Sequence, residues 1–237
     1  MGRTALWTAI RDTLGDEIAV GRYTPGDRLP TEAELAARFG VNRHTVRRAL
    51  AALSADGTIY ARRGSGVFVA HRPTTYPIGK RVRFHQNLTA SGHMPGKMVL
   101  HLAQRPADPT EAQALGLTEH DDVTVYEGLS FSDGTPIALF RSVFPLHRFP
   151  RMSEALRANP SVTAALQAHG IQDYTRASTH ITAKIATSTQ ANHLQIDPGA
   201  PILRTTSLNI DTDGTPIEFG RTWFAGDRVT LSLDAVP

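Results

Sequence analysis

Residues 41–50 read VNRHTVRRAL, and the meaning of this decapeptide decides the architecture of the first third of the chain. Arg43, His44, Arg47 and Arg48 fall within six positions, while Val41, Val46, Ala49 and Leu50 are apolar. Placed at 100° per residue, Val46, Ala49, Leu50 and Leu53 lie within an arc of about 100°. His44, Arg47 and Arg48 lie opposite, and Arg43 occupies the first turn. The spacing predicts a helix over 43–55 with Asn42 as its N-cap, packed by one stripe and rich in guanidinium groups on the other.

The flanks supply the context. In TEAELAARFG (31–40), Thr31 and Glu34 stand three apart, as a capping box requires, Leu35, Ala36 and Phe39 supply a buried face, and Gly40 suits a left-handed helix end. Leu6, Ile10, Leu14 and Ile18 predict an earlier helix over 4–20, closed by Gly21 and the turn-rich YTPGDRLP (23–30). After Asp56-Gly57, TIYARR and GVFVA flank Arg63-Gly64-Ser65-Gly66, which reads as a β-hairpin. Helix, helix–turn–helix, hairpin is the order of a winged helix–turn–helix. A lone basic helix is usually a solvated face. Here it is the second helix of the pair and precedes an arginine-bearing hairpin, so double-stranded DNA is the expected partner. An arginine fork can pair with guanine O6 and N7 or neutralise phosphate, and a helix N-terminus favours phosphate. Asn42, His44 and Thr45 can donate to phosphate or read base edges.

Charge follows the same division. Residues 1–72 hold 11 arginines and no lysine against seven acids, whereas 73–237 hold 14 bases and 15 acids. A hydrophobic content of 41% and a charged content of 20% suit a folded protein with a core. There is no cysteine, hence no disulfide or thiolate metal site, which is compatible with a cytoplasmic location. No apolar run is long enough for a membrane helix, and the charged N-terminal periodicity reads as a helix rather than a secretory leader. The ten histidines include no His-x-His or His-x₃-His pair, and no Gly-x-Ser-x-Gly, Walker or dinucleotide motif occurs. No metal, cofactor or catalytic residue is expected.

The domains expected are a DNA-binding domain over 1–70, a Pro-containing linker over 71–77 that serves as the joint, and an effector-binding and dimerisation domain over 78–237. The last contains an internal repeat. SDGTPIALFRSVF (132–144) parallels TDGTPIEFGRTWF (212–224), and LGLTEHDDV (115–123) parallels LQIDPGAPI (194–202). Each half runs helix end, strand, Asp-Gly turn, strand, which predicts an antiparallel sheet with rough two-fold symmetry. MSEALRAN and SVTAALQAHG between the copies read as short helices. The fold class is therefore α+β. Alternation places Ile217, Phe219, Arg221 and Trp223 on one strand face and Glu218, Gly220, Thr222 and Phe224 on the other.

Residues 22–69, marked by GDRLPTEAELA, VNRHTVRRAL and RRGSGVFV, closely resemble the DNA-binding domain of the GntR family of bacterial transcription regulators. The resemblance implies base or phosphate contacts from Arg43 and Arg47, a phosphate contact from Thr45, and a wing tip of Arg63 and Gly64. Thr31, Asn42, His44, Arg48, Ser65 and Gly66 complete the expected DNA-contact set. Ala33 stands where many relatives carry a DNA-touching arginine, leaving Arg48 or Arg28 to take over that contact. Residues 78–237 resemble the effector domain of the HutC subfamily, a chorismate-lyase-like (UTRA) fold, through Phe84 with NLxxSG, the doubled DGTPI and IEFGRTWFAGDRVTL. YPIGKRVRFHQNL (76–88) resembles the PhnF group, regulators associated with phosphonate uptake and breakdown.

The resemblance implies a homodimeric repressor on a palindromic operator, modulated by a small, anionic effector. Relatives that sense phosphorylated sugars carry Glu-Arg-x-Arg before the first hairpin turn. This chain has Glu127-Gly128-Leu129-Ser130 there, and Phe224-Ala225 where they have Tyr-Arg. Other groups must hold an anion: Arg81, Arg83, Arg141, Arg176 and Arg221, with His85 and His180, while Asn87 belongs to the NLxxSG motif. Arg141 and Arg221 read first as structural or interface salt bridges, and Glu218 as a pocket residue or an arginine's partner. Other effectors, such as an amino acid, residual lyase activity, and a purely dimerising domain are the alternatives.

Overall fold

A computed structural model describes residues 6–62, 64–70, 73–81, 88–89, 92–118 and 120–233. The chain divides into two compact units, Met1–Arg72 and Pro73–Pro237.

The first unit runs α1 (Leu6–Ala19), α2 (Glu32–Phe39), α3 (Arg43–Ala55), β1 (Ile59–Arg62) and β2 (Gly66–Val69). Ile10, Leu14, Leu35, Val46, Ala49, Leu50 and Leu53 are buried together with Ile59 and Val69 of the hairpin. Leu6 is 67% exposed, because it starts the helix and lies beyond the packed surface. The capping box forms as its spacing requires. Thr31 Oγ1 accepts from the Glu34 N–H at 3.3 Å, and the Thr31 N–H donates to Glu34 Oε2 at 2.7 Å. Gly40, at φ 64°, closes α2 in the left-handed conformation that spares glycine a Cβ penalty. Thr31→Ala should lower stability by about 1 kcal/mol, measurable by denaturant unfolding.

The second unit opens with β3 (Thr74–Pro77), which pairs in parallel with the last strand, β10 (Val229–Ser232). These four residues were expected to be linker. Their alternation buries Thr74 and Tyr76 and leaves Thr75 exposed, and the partner strand comes from the far end of the sequence. The main sheet has six antiparallel strands in the order β4 (Pro95–Pro106), β5 (Asp122–Ser132), β6 (Thr135–Pro145), β9 (Pro216–Ala225), β8 (Pro201–Asp211), β7 (Tyr174–Ile185). Helices α4 (Pro109–Leu115) and α7 (Ser188–Leu194) pack on one face, against Val125, Val143 and Phe219 and against Leu129, Leu139 and Trp223 respectively. Helices α5 (Met152–Ala158) and α6 (Val162–Ala168) cover the other face, against Tyr126, Phe140 and Phe144.

The repeat is visible as architecture. β4-α4-β5-β6 and β7-α7-β8-β9 are equivalent halves that meet at β6–β9, where Arg141 stands opposite Arg221. Both helices carry a capping box, Asp108 with Glu111 and Thr187 with Gln190. Both halves skip the isoleucine of DGTPI in the strand register. Strict alternation therefore fails at Ile217, which packs with Tyr126 and Phe144 instead of with Phe219. The turns differ. Asp133 and Gly134 have φ 50° and 79°, as a two-residue turn of type I′ needs, whereas Asp211 Oδ1 accepts from the Asp213 and Thr215 N–H groups across a longer loop.

Candidate nucleic-acid interface and effector cavity

Helix α3 presents Arg43, His44 and Arg47 on its exposed face, while Val46, Ala49, Leu50 and Leu53 are buried beneath. Asn42 caps the helix, its Oδ1 accepting from the Thr45 N–H at 2.9 Å and the Thr45 hydroxyl at 3.0 Å. Asn42 and Thr45 thus fix where the helix begins. Arg47 is held by a residue that pattern reading passed over. Its Nε and Nη2 donate to the two carboxylate oxygens of Glu32 at 3.0 and 2.8 Å. That hydrogen bonding, with the positive charges of Arg47, Arg43 and His44, holds the Glu32 carboxyl below the usual range. Glu32 lies between the capping residues Thr31 and Glu34, and its position in α2 was the available signal.

Arg48 takes a different course. Its guanidinium lies 4.6 Å from the centre of the Trp7 ring of α1, engaged one step around the helix from Arg47. In this structure it also braces α1 against α3 while remaining exposed. The wing returns to the head of α2. Arg28, Thr31, Glu32, Gly64 and Gly66 line one shallow concavity. Gly66, at φ 116°, adopts a backbone conformation that disfavours a side chain, and a Cβ there would lie 2.6 Å from Arg28 Nε and displace the guanidinium. Gly64 and Ser65 are exposed at the tip, and Arg63 lies outside the described residues.

In the second unit, a cavity of about 290 Å³ lies between the sheet and the start of α6. Its polar lining includes Lys97, Ser142, Arg176, Asn209 and Glu218, with Phe140, Tyr174 and Phe224 among the aromatic walls. Glu218 accepts from the Ser142 hydroxyl at 2.6 Å and from the Asn209 amide at 2.6 Å. Arg176 Nε donates to Asn209 Oδ1 at 2.7 Å, and its Nη1 to Thr179 Oγ1 at 3.3 Å. The Lys97 ammonium is 4.7 Å from the Phe140 ring centre.

Of the expected effector set, the cavity gathers Arg176 and Glu218. Arg141, Arg221 and His180 lie on the opposite face of the sheet. The register skip at Ile217 precedes Glu218, so regular alternation from Glu218 onward turns Arg221 away. Arg141 instead pairs with Glu127, and the Arg221 guanidinium lies 5.2 Å from the Phe219 ring centre. His180 is exposed, opposite Thr206, which is itself opposite Arg221. Arg81 is ion-paired with Asp173 at 2.5 Å. Arg83, His85 and Asn87 lie outside the described residues.

Lys97 was missed in the sequence, and strand pairing explains its arrival. It sits directly opposite Ser130, one of the two positions where sugar-phosphate-sensing relatives are expected to carry arginine. The other, Gly128, has the Phe140 ring where a side chain would begin, 2.7 Å from a Cβ. The cation therefore comes from the neighbouring strand.

The comparisons with known proteins agree with this division of the chain. Residues 6–69 match the model of the bacterial regulatory proteins of the gntR family, and residues 90–230 match the UTRA domain. The chain is 41% identical to an HTH-type transcriptional regulator of Rhizobium meliloti over 97% of its own length and 95% of that protein's. It is 34% identical to the probable transcriptional regulator PhnF of Escherichia coli, covering 90% of this chain and 88% of that one. The crystal structure of PhnF from Mycobacterium smegmatis superposes with a TM-score of 0.69 at 29% identity, over 96% of this chain and 99% of that one. With its winged helix, its UTRA-type sheet and these relatives, the chain belongs to the GntR family of transcriptional regulators, as a PhnF-like member of the HutC type.

Proposed function

We propose that this regulator is a repressor, and not an enzyme, that binds an inverted-repeat operator as a cytoplasmic homodimer and releases it when a small anionic metabolite enters the sheet cavity. The observation that carries the reading is a guanidinium-bearing helix in one unit and, in the other, a sheet cavity whose lining includes Lys97 and Arg176. Relatives named as repressors support the sign, and relatives named PhnF support a phosphonate- or phosphate-bearing effector. Binding must favour one state of the dimer over another, since an effector with equal affinity for both would leave the operator occupied. The test is operator binding by fluorescence anisotropy with and without a panel of phosphonates, phosphate and sugar phosphates. Release by none of them removes the effector class. Consumption of a compound by the protein would turn the cavity into an active site.

Lys97 gives the cavity a pH signature. Burial among protein atoms draws its pKa down to about 8, against the opposing attraction of Glu218. Affinity for an anion should fall as pH rises through about 8 and the ammonium loses its charge. Lys97→Met should flatten that step in calorimetric titrations. The free protein should behave oppositely. Between about 8 and the ordinary lysine range the unfolded chain binds more protons than the folded one, so stability rises with pH across that window.

A further inference from the structure

The cavity keeps Arg176 and Glu218 apart, while Lys97 feels the attraction of Glu218. Arg176 on β7, Asn209 on β8 and Glu218 on β9 stand directly opposite one another in strand register. The Asn209 amide fills the middle position, accepting from Arg176 and donating to Glu218. On the other face Glu127 and Arg141, on adjacent strands, meet directly and satisfy each other. In the cavity the amide spacer keeps Arg176 from cancelling Glu218 directly, and among the described residues the side-chain hydrogen bonds to Glu218 come from the neutral donors Ser142 and Asn209. A carboxylate has capacity for further donors beyond those two.

The internal repeat sharpens this asymmetry. Lys97, Ser130 and Ala138 form the matching row in the other half of the domain, so the cation recurs and the acid does not. A plain anion bound between Arg176 and Lys97 would meet the like charge of Glu218 in a confined space, where repulsion is stronger than in water. An ammonium group on the same molecule turns that repulsion into a charge-assisted hydrogen bond.

We propose that the effector is a zwitterion, a small molecule with an anionic group set toward Arg176 and Lys97 and a primary ammonium set toward Glu218. The cavity's size suits a short aminoalkyl anion, phosphonate or carboxylate. This rests on the cavity being the effector site.

The test is calorimetric titration of the full chain with matched pairs: 2-aminoethylphosphonate against ethylphosphonate, and 3-aminopropanoate against propanoate. In one pair the amino compound binds at least tenfold more tightly than its des-amino partner, and the pair that responds identifies the anion. Glu218→Gln reduces that preference to within about twofold. Equal affinity within each pair for the wild-type protein overturns the zwitterion and leaves the cavity as an anion site. A preference that survives Glu218→Gln also overturns it. Absence of heat with all four compounds overturns the zwitterion, whereas release of the operator by an unrelated anion in that case preserves the effector reading. The wild-type comparison decides the matter even if the variant fails to fold.

Discussion

Operator affinity of the Arg43→Ala/Arg47→Ala protein should fall by about 30-fold to 10⁴-fold, from about 1–3 kcal/mol for each base-reading arginine. Both side chains are exposed, Arg43 in the first turn of α3 and Arg47 clear of its buried stripe, so their removal leaves the core intact and the thermal midpoint close to wild type. The loss includes a second component. Without Arg47, the Glu32 carboxylate loses the fork that neutralises it and faces the phosphates as an uncompensated negative charge. Anisotropy titrations at one fixed salt concentration measure the loss, since phosphate contacts alone change affinity steeply with salt. Comparison with unrelated DNA separates the roles: base reading lowers operator affinity selectively, and phosphate binding lowers both. A double variant that holds its operator like wild type would remove α3 from the interface.

Arg105→Ala should destabilise the second unit by about 1–3 kcal/mol, below the figure for a fully buried ion pair because Glu111 is buried but Arg105 is over a third exposed. Glu111 is buried at the head of α4, and Arg105 grips both its oxygens at 2.7 Å. Glu111 also accepts from the Asp108 N–H to close the capping box. Truncating Arg105 leaves that carboxylate in the interior without its cation. The other half of the domain shows a neutral solution: Gln190 occupies the matching position in α7 and closes the same box with Thr187. Adding Glu111→Gln to Arg105→Ala should therefore recover much of the loss, an outcome that denaturant unfolding of the two variants can read. If the double variant is as unstable as the single one, packing by the Arg105 stem rather than charge is responsible.

Legibility followed the range of the interaction. Thr31 with Glu34 and Asn42 with Thr45 interact within one helical turn, and the sequence displays them three residues apart. The buried stripe of α3 and the doubled DGTPI are likewise written along the chain. Arg48 looked like Arg47 because periodicity assigns a face but not the ring of Trp7 that occupies it. Residues 74–77 looked like linker because their partner, Val229–Ser232, lies at the other end of the sequence. Alternation put Glu218 and Arg221 on opposite faces without saying which face holds the cavity, and Arg141, Arg221 and His180 entered the candidate set for their charge alone. Lys97 needed the one fact that no local pattern contains, that it stands opposite Ser130.

The pairing of β3 with β10 has a consequence for how tightly DNA is held. Five residue steps separate Val69, the end of the wing, from Thr74, the first residue of β3. Fully extended, they reach at most about 18 Å. Each reading head is thus on a short leash whose anchor is hydrogen-bonded into the effector unit. In the proposed homodimer, once one head has found its half-site, the other would search at an effective concentration in the millimolar range. Two individually weak heads then act as one strong one. Whatever moves the β3 anchors apart lowers that local concentration without altering a single contact to DNA.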